Sequence, residues 1–229
     1  MVSRTTSLAL ALFVLLALPL DGRTQAATVV VPLERAEGWI EWGYRGRPNH
    51  TVTHSPSGLT VSVARSAGGL AYRLSAPAVV RRIRATGRID GALAVDPARQ
   101  GLEGHDDFAL RVGLVVRGEK RLGFFERRLA PAWVRNLHDL APRGTGISHV
   151  HFFNVGAPGA DLGRERTHPL NELLRETVAT ALRGDGSFDL EVTPAETAET
   201  LGIWLGTDGD DTRSTFTVRL TSLAFEPAS

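Results

Sequence analysis

Short segments in which apolar and polar residues alternate with a period of two recur along this chain, and that period suits only strands with one buried face. In residues 58–64, Leu59, Val61 and Val63 alternate with Thr60 and Ser62. In residues 214–225, Phe216, Val218 and Leu220 alternate with Thr217, Arg219 and Thr221. The clearest strand covers residues 107–117, with Phe108, Leu110, Val112 and Leu114 on one face and Arg111 on the other. Further β-type runs occupy residues 28–33, 38–42, 70–75, 147–155, 187–193 and 199–207, while 79–89 mixes arginine with apolar residues as on an outer strand. Many short strands separated by turn residues predict an all-β, mostly antiparallel sandwich or barrel.

Two segments read differently. Residues 129–140 place Trp133, Leu137 and Leu140 at helical spacing, with Pro131 near the start and Pro142 beyond the end, which predicts a short helix or an irregular insertion. Residues 169–182 carry leucines suited to a helix and then Thr177-Val178-Ala179-Thr180, suited to a strand, so one or two short helices are expected in all. Residues 156–167, rich in Gly, Asp and Arg, read as an exposed loop.

The N-terminus carries Arg4 before an apolar run at 8–20, and Thr24-Gln25-Ala26 offers the small residues a signal peptidase accepts. Residues 1–27 are therefore expected to be a signal peptide. The run is shorter than the roughly 20 apolar residues that span a bilayer, so no integral membrane segment is expected after cleavage, and the protein is expected to be exported, either periplasmic or secreted. Residues 28–229 suffice for one domain. Losing Arg4, Arg23 and Asp21 takes the 26 basic and 25 acidic residues to 24 of each. A neutral chain has no long-range attraction for nucleic acid. With no cysteine, disulfides and thiolate chemistry are excluded.

Several groupings could carry chemistry. His149 and His151 stand two apart in a strand, so their imidazoles share a face and would supply half of a metal site, or serve as an acid/base pair; the alternative is a hydrogen-bonded pair. Asp208, Asp210 and Asp211 space their carboxylates as a calcium ion would want them, or form a polar turn in which they accept backbone N–H bonds. Asp107 and Arg111 are an even number apart and would pair on one face beside a ligand, or else lie in a turn and on a solvent-facing strand. Trp42 and Tyr44 share one strand side, opposite Trp39, and would form a platform for a sugar ring, whereas Trp204 reads as core. The serine-nucleophile elbow, the phosphate-binding loop and the His-Glu-x-x-His motif are all missing.

Two motifs carry a resemblance. Residues 106–112, Asp-Asp-Phe-Ala-Leu-Arg-Val, and 206–212, Gly-Thr-Asp-Gly-Asp-Asp-Thr, resemble the Asp-Asp-aromatic strand opening and the aspartate-rich loop of a bacterial exported family known as domain of unknown function thirty forty-seven. The similarity runs from about Gly38 to Phe225, and departs at Arg213, where that family commonly has glycine, and at residues 217–221. The resemblance implies a jelly-roll sandwich similar to galactose-binding-like domains, and with it a binding role. It brings no reaction, because fold alone does not fix function. The expected function is a binding module for carbohydrate or another envelope polymer, lined by Asp107, Arg111, His149 and His151. The alternatives are a polysaccharide hydrolase or lyase using the histidine pair, and a non-catalytic envelope assembly protein.

Overall fold

The alternating segments meet each other. Val61 pairs with Val218, and Leu59 with Leu220, so two apolar stripes coincide on one side of a sheet. The structure, a computed structural model, describes residues 27–169 and 171–228; the expected signal peptide lies outside them, apart from its last residue.

The strands and helices run in the order β1 (Val29–Val30), β2 (Trp39–Gly43), β3 (Thr51–Ser55), β4 (Gly58–Ala64), β5 (Ala67–Ala78), β6 (Val80–Ala92), β7 (Leu110–Gly118), α1 (Phe124–Leu129), α2 (Ala132–His138), β8 (Gly146–Gly156), β9 (Glu165–Thr167), β10 (Leu174–Ala181), β11 (Ser187–Val192), β12 (Thr200–Asp208) and β13 (Thr215–Pro227). They form a jelly-roll-like β-sandwich. One sheet has the order β11-β6-β13-β4-β3, with β1 against the far end of β13; the other has the order β2-β5-β12-β7-β8-β10-β9. Among the described residues, every pairing is antiparallel except that of β10 with β8. Because β10 runs parallel to β8, the chain between them must cross over, and β9 caps the sheet edge within that crossover.

The main core fills the space between the sheets with Leu59, Val61 and Val63 from one side and Leu70, Leu110, Val112, Ile203 and Leu205 from the other. A second apolar cluster covers the outer face of the seven-stranded sheet, where Trp42, Ala71, Val115, Phe152 and Trp204 meet Leu137 and Leu140. Trp204 is buried as expected, but in this outer cluster and not between the sheets.

Three expectations are corrected and one open alternative is resolved. β6 is no outer strand, since it lies between β11 and β13; its arginines face solvent, Arg84 pairing across to Glu191 on β11 at 3.0 Å and Arg88 pairing along its own strand with Asp90 at 3.1 Å. The segment 156–167 is only partly exposed: Ala157 and Ala160 are buried, the latter against Phe108 and Val178. In 169–182 the β-branched half prevails, giving β10. Finally, the ladder of β7 starts at Leu110, so alternation does not extend back to 107–109, and Phe108 packs on the outer side, away from Leu110.

Helix α1 was not anticipated. Glu126 accepts a hydrogen bond from the Gly123 N–H at 2.7 Å, tying down the first turn, and Pro131 separates α1 from α2. α2 lays Leu137 on the outer face and brings Trp133 beside it. Among the described residues, no helix is long and apolar enough to cross a membrane.

Candidate functional site: an aromatic-walled pocket over a buried charge cluster

Side-chain parity builds the site. On the outer face of the seven-stranded sheet, Trp42, Gly69, Gly206 and Arg111 form one cross-strand row. Ala71, Trp204, Gly113, Phe152 and Glu176 form the next. Glycine stands beside the rings at Gly113 and Gly69 because a side chain there would collide with them. A Cβ on Gly113 would stand 2.6 Å from Cε1 of Phe152, and one on Gly69 would stand 2.8 Å from Cζ2 of Trp42.

Beside α2 this face opens into a pocket of about 290 Å³. Tyr44, Trp133, Phe152 and Trp204 supply its rings. Trp133 leans on Trp204 at 5.8 Å between centroids and stands edge-on to Tyr44 at 6.4 Å. Burial pushes the Tyr44 hydroxyl up to about 12, so it stays protonated. Trp42 stands behind this wall, edge-on to Trp204 at 5.1 Å.

Opposite the rings lies a charge cluster. Arg111, nearly sealed from water, donates to Asp208 from Nε and Nη2 at 3.2 and 2.9 Å, and to the carbonyl and carboxylate of Asp106 at 2.7 and 3.1 Å. Its remaining nitrogen pairs with Glu176. Arg166 bridges Glu176 and Asp106, and His168 Nε2 lies 3.1 Å from Asp106. Three carboxylates thus face two guanidinium groups. Burial would raise Asp106, but Arg111, His168 and Arg166 outweigh it and hold its carboxyl well below the usual range. Burial wins at Asp208, whose carboxyl is pushed up to about 7 against the pull of Arg111. Arg47 and Asp210 form an ion pair at 3.0 Å on the rim.

The residues singled out in the sequence separate into three places. Arg111, Tyr44, Asp208, Asp210 and Asp211 line the pocket. Asp107 does not pair with Arg111; its carboxylate instead accepts the N–H groups of Asp211 and Thr212 at 3.2 and 2.7 Å. Asp106 takes the role expected of Asp107, since the strand parity that linked 107 to 111 fails before Leu110. The carboxylates of the aspartate-rich loop are likewise engaged, two of them with backbone N–H groups as in a polar turn: Asp208 holds Arg111 and the Phe108 N–H at 2.8 Å, Asp210 holds Arg47, and Asp211 accepts the Asp106 N–H at 3.3 Å.

His149 and His151 leave the opposite, inner face of the sheet, because His151 pairs in register with Leu114 and His149 with Val116. They cannot line one pocket with Arg111. Their neighbour is Glu196, and among the described residues His149, His151 and Glu196 form a group able to hold a metal ion. Burial keeps the His151 imidazole below its ordinary value.

Sequence reasoning missed Asp106, Glu176, Arg166, His168 and Glu196, and read Trp133 only as a helix-packing residue. Glu176 did leave a signal. With Leu174 and Val178 it forms one buried face of β10, and an acid in an apolar stripe requires a cation.

No family model matches the chain, and no curated protein matches it. Among solved structures, a family 11 carbohydrate-binding module of a cellulosomal cellulase from Clostridium thermocellum is similar at 8% identity over 89% of this chain and 96% of that one, with a TM-score of 0.43. A xylan-binding module of family 15 is similar at 12% identity over 89% and 98%, with a TM-score of 0.39. A family 29 carbohydrate-binding module from Piromyces equi is similar at 10% identity over 89% and 92%, with a TM-score of 0.37.

Proposed function

We propose that this protein is an exported binding module for a carbohydrate, and that the pocket beside α2 holds one end or a short stretch of a glycan. The observation that carries the reading is the pairing, in one cavity, of the rings of Tyr44 and Trp133 with a polar wall of Asp106, Asp208, His168 and Asn171. A sugar has an apolar C–H face that stacks on such rings and hydroxyl groups that both donate and accept. A volume of about 290 Å³ sits near the lower end of small-ligand pockets, roughly 300–1,000 Å³. Membership of the exported family of unknown function belongs to the same reading, since the two motifs behind that resemblance interlock at the pocket edge through Phe108 and Asp208.

The test is affinity electrophoresis of the mature chain against a polysaccharide panel, followed by titration calorimetry on any hit. Trp133→Ala and Tyr44→Ala should each weaken binding at least ~10-fold, about 1.4 kcal/mol, measured at a temperature where far-ultraviolet circular dichroism shows the variant still folded. Failure of the wild type to bind any glycan, or binding indifferent to both substitutions, overturns the proposal.

A further inference from the structure

His149 and His151 point from β8 toward the segment 193–199, which crosses from β11 in the six-stranded sheet to β12 in the seven-stranded one. Glu196 stands on that crossover. Its Oε1 lies 2.8 Å from His149 Nε2 and 3.7 Å from His151 Nδ1, and the potential ligand atoms of all three residues lie within 4.8 Å of one another. A tetrahedral cation with bonds of about 2.0–2.1 Å keeps its ligand atoms roughly 3.4 Å apart. The two separations fall on either side of that value.

The far nitrogens are tethered. His149 Nδ1 lies 3.0 Å from Ser148 Oγ, and His151 Nε2 lies 2.9 Å from Thr177 Oγ1. These hydroxyls fix each ring so that its other nitrogen faces Glu196, the outer-shell arrangement that metal-bound histidines require. Phe153 stacks on His151 at 4.5 Å between centroids and holds the ring from the side. His151 Nδ1 is buried and lies beyond hydrogen-bond distance of any partner, so the arrangement leaves one inward nitrogen unsatisfied.

We propose that His149, His151 and Glu196 form a binding site for a first-row divalent transition cation, with zinc the best fit to two imidazoles and one carboxylate. Three protein ligands leave a fourth position for water. His151 and Glu196 keep 17% and 23% side-chain exposure, which gives the ion a path in from solvent. Bound there, the cation clips β8 to the crossover and so ties the two sheets together, and it stabilises the fold by mass action. The site lies on the other face of the sheet from the pocket, so neither proposal depends on the other.

The experiment uses the untagged mature chain, stripped with chelator and titrated with zinc by calorimetry and native mass spectrometry. One zinc per chain is expected, with a melting temperature that rises on zinc addition and does not respond to magnesium. Glu196→Gln, which keeps the side chain's volume, and His151→Ala should each weaken zinc binding at least ~10-fold. Thr177 is a positioning residue: Thr177→Val should cost on the order of 10-fold, and Thr177→Ser should restore it. Should His151→Ala fail to fold by circular dichroism, Glu196→Gln decides. Absence of saturable zinc binding overturns the proposal, as does zinc affinity unchanged in Glu196→Gln.

Discussion

The Arg111 guanidinium reaches across β8 to the carboxylate of Glu176 on β10, and the two side chains keep only 7% and 2% of their surface exposed. Such a pair is worth little against an apolar replacement of both partners, but loss of one partner strands a buried charge. Glu176→Ala leaves Arg111 and Arg166 short of a shared anion and should lower stability by about 3–5 kcal/mol, read from urea unfolding. A loss below about 1 kcal/mol would mean that the pair is solvated, as surface ion pairs are.

Gly69 lies beneath Trp204 and Trp42, with no room for a methyl group. Gly69→Ala should push both rings off the sheet and cost roughly 1–3 kcal/mol, the usual range for overpacking. Near-ultraviolet circular dichroism should change with it, since the Trp42–Trp204 edge contact would be broken. An unchanged spectrum and melting temperature would show that the packing behind the pocket wall is looser than its geometry requires.

Arg213 holds φ at +58°, in the left-handed region that costs a residue with a Cβ about 1–2 kcal/mol. Arg213→Gly should raise stability by about 0.5–1 kcal/mol once the greater freedom of glycine in the unfolded chain is offset. That corresponds to a few degrees in melting temperature for a domain of this length. A drop in stability would reveal an interaction of the arginine that outweighs the strain.

Asp208 makes the site pH-dependent. Its carboxyl is raised to about 7 by burial, while in the unfolded chain it titrates near 3.9. The folded protein therefore holds a proton that the unfolded chain releases, and stability falls as the pH rises from about 4 to about 7. Asp106 acts in the opposite sense, because its carboxyl is held low in the folded state; its contribution is lost only as the pH drops below about 4. Urea midpoints at about pH 5 and pH 7 should converge in Asp208→Asn relative to the wild type. Parallel shifts in both proteins would mean that Arg111 keeps Asp208 ionised throughout.

Legibility in the sequence followed the range of each interaction. Leu59, Val61 and Val63 announced their own burial, because a period of two needs no knowledge of a partner. The same parity placed Trp39 and Trp42 on opposite sides of β2 and His149 with His151 on one side of β8. Parity failed for Asp107 and Arg111, which an irregular stretch before Leu110 separates. It was also silent on which face of one strand matches which face of another, so Arg111 and His149 were assigned to a single lining although they leave opposite faces of the sheet.

The sequence by itself determined the strand-rich architecture, the alternation of buried and exposed faces, and the absence of thiols and disulfides, because all of these rest on local composition and a two-residue period. Only the tertiary structure decided that β10 lies parallel to β8, so that Glu176 and Arg166 come within reach of Arg111. It alone decided that α2 leans Trp133 over Tyr44, and that the crossover brings Glu196 to the histidines. Each of those contacts joins residues from separate strands, helices or loops, and strand register, with the path of the chain between the sheets, sets such distances.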